Sequence, residues 1–111
     1  MFSKSLSSYQ KSAKSFALYP EDMKVIYPSL GLCGECGEVA EKIKKVIRDN
    51  DGIFEQKEKN EIKKELGDVL WYLANLSSDL GLNLSDIAAI NLAKLKDRKK
   101  RGKISGSGDN R

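Results

Sequence analysis

Two stretches of this chain repeat one device. Gly31 to Glu41 reads GLCGECGEVAE and sets Glu35 and Glu38 three residues apart inside an apolar helical pattern. Lys63 to Leu73 reads KKELGDVLWYL and does the same with Glu65 and Asp68. On a helix, residues i and i+3 are neighbours, with Cβ atoms roughly 5–6 Å apart. Each helix then carries two carboxylates side by side, and a fold that joins the helices gathers four. Like charges that close do not all stay ionised without a counter-charge. A hard divalent cation supplies it, and oxygen-only ligands favour magnesium or manganese.

The remaining totals narrow the class. A length of 111 residues suits one domain, read as a helical domain over 1–100 and a flexible, basic, Gly-rich tail over 101–111. Hydrophobic residues make up 40% and charged residues 32%, the balance of a soluble globular chain. No apolar run approaches the roughly 18–20 residues that span a bilayer. The opening MFSKSLSSYQKSAKSF lacks the continuous apolar core of a signal peptide, so a cytoplasmic protein is expected. Histidine is absent. This excludes histidine-based acid/base chemistry and His-containing zinc sites, and argues against di-iron bundles built on Glu-x-x-His. The net charge is +4, but its distribution says more: acids concentrate between Glu35 and Asp68, while Lys94 to Arg111 is basic. That basic end is either a solvated tail, a cationic lid for a polyanion, or a nucleic-acid contact.

The spacing predicts four helices and no strand. Leu6, Tyr9, Ala13, Phe16 and Ala17 mark a first helix over 5–17, ended at Tyr19-Pro20. A second begins near Pro28, with Leu32, Cys36, Val39, Ala40, Ile43 and Ile47 as its apolar stripe, and stops at Asp49-Asn50-Asp51-Gly52. A third runs from about Lys59 to Leu80, with Gly81 as the residue after its end. A fourth starts at Asn83 or Ser85 and reaches about Lys100. The short link after Gly81 predicts that helices three and four lie antiparallel, side by side. The GKISGSGDNR end is expected to be mobile when no ligand is bound.

Glu-x-x-Glu alone is usually a solvated pair. Here Glu65 and Asp68 border the apolar stripe, and Gly34, Gly37 and Gly67 accompany the acids. Glycine costs roughly 1 kcal/mol inside a helix, so three of them predict close approach of another helix or a ligand. Cys33 and Cys36 have no partners for a zinc site and no preceding strand, and read as small buried apolar side chains. Tyr72, four residues after Asp68, faces the acids and is either core or the wall of a base pocket, as is Trp71 beside it. Asn91 lies on an apolar face beside Lys94, where a buried amide needs partners, and is expected in the site.

Taken together, GLCGECGEVAEKIKK, ELGDVLWYL and NLAKLKDRKKRGKISGSGDNR resemble the MazG-like all-α nucleoside triphosphate pyrophosphohydrolases, from about Tyr9 onward. The resemblance implies a four-helix module working as a dimer or dimer of dimers. It implies magnesium held by Glu35, Glu38, Glu65 and Asp68, and cleavage of a nucleoside triphosphate to monophosphate and pyrophosphate. Asn91 and Lys94 match positions that contact the metal-bound triphosphate. Where many members carry a further glutamate before the first pair, this chain has Gly34. Chemistry consistent with that activity assigns Glu35 or Glu38 to orient or deprotonate the attacking water, and Lys94, Arg98, Arg101 and Lys103 to neutralise the leaving pyrophosphate. Tyr72 would stack on the base. The competing reading is a non-catalytic helical dimer that binds nucleic acid or protein through its basic end; nucleic acid is the less favoured partner. A core this small, with Ile26, Tyr27 and Leu30 left uncovered, predicts a homodimer or homotetramer.

Overall fold

A computed structural model describes residues 5–111; the first four residues lie outside the described part. Four helices follow in order, with no strand among the described residues: α1 (Leu6–Lys14), α2 (Ile26–Asp49), α3 (Gln56–Asp79) and α4 (Leu84–Lys100), with one 3-10 turn at Glu21–Met23. The all-α, four-helix class is as expected.

The helix ends follow local chemistry. Ser5 caps α1, its Oγ accepting from the Ser8 N–H at 3.1 Å. The helix stops three residues before Ala17 because Ser15 turns its hydroxyl onto the Ser12 carbonyl, at 2.6 Å. Helix α2 starts at Ile26, so Pro28 falls within its first turn, where a missing N–H is harmless. Helix α3 begins three residues earlier than the apolar pattern, supported by Gln56 donating to Asn60 Oδ1 at 2.8 Å along the helix and by Glu58 in the first turn. Its end is a Schellman motif: Gly81 has φ 71°, Leu82 N–H reaches Ser77 O at 2.8 Å and Gly81 N–H reaches Ser78 O at 3.0 Å. Asn83 then caps α4, accepting from Ser85 N–H at 2.8 Å.

The lead-in to α2 is strained. Val25 sits at φ 68°, ψ −51°, a γ-turn closed by Ile26 N–H on Lys24 O at 2.7 Å. A β-branched residue rarely accepts a positive φ. Asp79, at the end of α3, holds it there: its Oδ2 accepts the Val25 N–H at 2.9 Å and the Tyr19 hydroxyl at 2.7 Å.

Packing departs from the expected arrangement in two ways. First, α4 leans on α1 rather than along α3. Ala13, Ala74 and Leu84 form the buried cluster, with Tyr9, Leu70, Trp71, Leu73 and Ile87 around it. Gln10, itself buried, ties the junction by donating to Ser78 Oγ and Leu82 O and accepting the Leu84 N–H, at 2.8–3.0 Å. With α1 seated there, α3 and α4 share no extended face. Second, α2 is rotated about its axis. The face meeting α3 runs through Glu35, Val39, Lys42 and Val46, not through Cys36, Ala40 and Ile47. Ile47 is 62% exposed, and both cysteines are exposed rather than buried. Of the apolar stripe that the spacing marks on α2, Leu32, Val39 and Ile43 are half-buried, while Cys36, Ala40 and Ile47 are uncovered.

This leaves an open arrangement of helices. Its radius of gyration is 16.8 Å, against about 13 Å for a compact chain of this size. Among the described residues only Ala13, Val46, Ala74 and Leu84 are buried hydrophobics, while Ile26, Tyr27, Leu30, Leu66, Ile90 and Leu92 stay exposed.

Candidate active site

The rotation of α2 is what builds the acidic centre. It turns Glu35 toward α3, where Glu65 and Asp68 point back. One carboxylate oxygen from each of these three lies within 4.8 Å of the others. Burial pushes the Glu35 carboxyl up, and so do its hydrogen bond with Glu65 and the charges of Asp68, Glu65 and Glu38. Glu38 is exposed and stands outside the triad, though Glu35 feels its charge. At the margin, Lys42 Nζ reaches Glu65 Oε1 at 3.6 Å. Three carboxylates short of positive charge, all hard oxygen donors, fit a divalent cation such as magnesium or manganese.

Beside the acids lies an aromatic wall. Tyr72 packs edge-on to Trp71 at 5.0 Å between ring centroids and tilts toward Tyr27 at 6.4 Å, while Tyr27 stacks on Tyr19 at 5.0 Å. With Phe16, Leu18 and Pro20 these rings line a cavity of about 360 Å³. Burial raises the Tyr72 hydroxyl, helped by Tyr27 and by the charge on Glu35. Tyr72 therefore stands between acids and cavity. Its place depends on Gly31: a Cβ there would lie 2.2 Å from Tyr72 Cε1. The close approach expected at Gly34, Gly37 and Gly67 is absent; a Cβ at any of them meets nothing within 4 Å. Those three face away from the α2–α3 seam, a fact that depends on helix rotation and not on spacing. Gly31 carried no flag, because it precedes the acidic motif by one turn. A second cavity of about 370 Å³ opens on the far side of Lys42, toward Asn50 and Glu58.

The basic residues form a separate group. Asn91 is exposed, Lys94 half-buried and Arg98 buried. Lys94 Nζ and Arg98 Nη2 both meet Asp109 Oδ1, at 2.6 and 3.0 Å. Arg101 pairs with Asp97 at 2.8 Å, and the Lys103 carbonyl accepts from Arg111. Helices α2 and α4 share no extended contact. Within one chain, then, the structure does not bring Asn91, Lys94, Arg98, Arg101 and Lys103 to the acids. Asp109 was missed as a partner; its signal was being one of few acids in a basic end.

No helix of the described residues is long and apolar enough to cross a membrane. Comparison with known proteins places the chain. The MazG nucleotide pyrophosphohydrolase domain matches residues 29–102, a span that holds all four acids and Lys94. The chain is also similar to the Gene 37 protein of Mycobacterium phage L5, 47% identical over 109 residues, covering 93% of this chain and 96% of that protein. No solved structure matches. On the strength of that domain match, which covers most of its length, this chain belongs to the MazG nucleotide pyrophosphohydrolase family.

Proposed function

We propose that the chain is a magnesium-dependent pyrophosphohydrolase that cleaves nucleoside triphosphates, ribo- or deoxy-, to the monophosphate and pyrophosphate, clearing or regulating a nucleotide pool. The observation that carries this is the convergence of Glu35, Glu65 and Asp68 from two helices. These three would hold the cation, with Glu38 one turn from Glu35 as a fourth candidate ligand; manganese suits the same oxygens. A cation there supplies polarisation of the α-phosphate and a more acidic water. Glu38, exposed and outside the triad, is free to orient that water or take its proton, with Glu35 as the other candidate. Tyr72 and the cavity beside it offer rings on which a base stacks.

Lys94 and Arg98, with Asn91, Arg101 and Lys103, are assigned to the phosphates. Because one protomer keeps them apart from its acids, the complete site would combine α2 and α3 of one copy with the basic end of another. The uncovered apolar residues on α2 and α4 support a homodimer or homotetramer. We place the activity in the cytoplasm, where nucleoside triphosphates are made and used.

The test is pyrophosphate release from each common ribo- and deoxynucleoside triphosphate with magnesium, on protein shown folded by circular dichroism. Release from at least one is expected, and silence from all overturns the proposal. Light scattering at micromolar concentration tests the assembly, and a monomeric mass counts against it.

A further inference from the structure

The basic end of α4 already has an anion. Arg98 is 5% exposed, and a guanidinium that deep requires a counter-charge. Asp109 provides it: its Oδ1 meets Arg98 Nη2 at 3.0 Å and Lys94 Nζ at 2.6 Å, and its backbone oxygen also accepts from Arg98. Yet Asp109 is itself 75% exposed along its side chain. It reaches inward from a segment that turns at Gly106 (φ 111°) and Gly108 (φ 86°), conformations that glycine alone takes easily. Arg111 ties that segment together through the carbonyls of Lys103, Ile104 and Gly108. One donor is left over: Arg98 Nε is buried with no hydrogen-bond partner among the described residues. Two cations around one carboxylate, with a spare N–H, match a phosphate group better than the carboxylate they hold.

We propose that Asp109 is an internal competitor, a latch whose carboxylate occupies Lys94 and Arg98 until a polyphosphate displaces it. The inference rests on the reading that these two residues receive substrate phosphates, and adds what holds them beforehand. The 103–111 segment then swings outward when phosphate arrives. A lid would do the reverse and tighten.

Two measurements on the full chain test this, both without magnesium and without turnover. The first is calorimetric titration of inorganic tripolyphosphate into the wild type and Asp109→Asn. If the unlatched state is about a tenth populated, the variant binds about tenfold tighter. Equal or weaker binding by a folded variant overturns the latch. The second keeps Asp109 and labels Ser107→Cys with a fluorophore, in a background with Cys33 and Cys36 changed to serine. Anisotropy of the label is expected to fall as tripolyphosphate is added; a rise, or no change at saturation, overturns the latch. Loss of pyrophosphate release from every nucleotide would sink the proposed activity and leave this result standing. Normal turnover without tighter binding by Asp109→Asn would sink the latch alone.

Discussion

The acidic seam between α2 and α3 and the basic end of α4 carry opposite charges and opposite solutions. At the seam, Glu35, Glu65 and Asp68 face one another, with Lys42 at the edge to answer them. At the basic end, Lys94 and Arg98 are answered from within the chain by Asp109. One region is built under repulsion, which a cation would relieve. The other is self-neutralised, and on the latch proposal it would give up Asp109 to bind. If they are the two halves of one site, as proposed, those halves are prepared differently: the first would wait for its ligand, and the second would trade a partner for it.

The largest effect breaks the seam. Asp68→Asn removes a ligand oxygen and its charge, and pyrophosphate release with magnesium should fall by about a hundredfold or more, measured at saturating nucleotide. Unchanged release would mean that the seam is not the working half.

Next comes relief of the repulsion itself. Saturating magnesium, about a hundredfold above its dissociation constant, should stabilise the protein by about 2.7 kcal/mol in a thermal scan. The metal-free protein should also lose stability with rising pH. Glu35 is raised in the fold above its unfolded value, so its contribution is complete below the ordinary carboxylate range and is lost as pH climbs through the raised value. Glu35→Gln should flatten that fall and abolish the magnesium effect.

Gly31→Ala sharpens the comparison by disturbing the seam without touching its charge. The new Cβ runs into the Tyr72 ring, itself boxed by Trp71 and Tyr27. A loss of about 1–3 kcal/mol is expected from chemical denaturation, after a helix-propensity gain of about 1 kcal/mol is absorbed. The smallest effect belongs to the basic end. Lys94 and then Arg98 hold the Asp109 carboxyl below its usual range, so the latch survives mild acid and opens only as pH falls through that lowered value. The Arg98 side-chain N–H resonances should report this, shifting at a lower pH than an ordinary carboxylate would give.

Much of this was written locally. The four helices follow from i, i+3 and i+4 spacing, the Asn83 cap and Gly81, because each depends on neighbours within a turn. Spacing also marked the acids, three of which converge. What spacing does not state is the azimuth of a helix. Cys36 lies on an apolar stripe, yet the seam runs some way round α2 from it, so Cys33 and Cys36 are exposed. The same azimuth leaves Gly34, Gly37 and Gly67 in open space and puts Gly31 against a ring. The seat of α4 was equally hidden, because Gln10 claims the Leu82–Leu84 junction from far along the chain. Asp109 is illegible for the same reason: a lone acid among basic residues gains meaning only when the backbone folds back on Arg98.

Val25 deserves a last consequence. Its γ-turn persists because one aspartate, Asp79, grips it from the end of α3 while also holding Tyr19, a wall of the aromatic cavity. The shape of that cavity is therefore spring-loaded. Letting go at Asp79 would free Val25 and Tyr19 at once, so the form of that cavity depends on a backbone kept under tension.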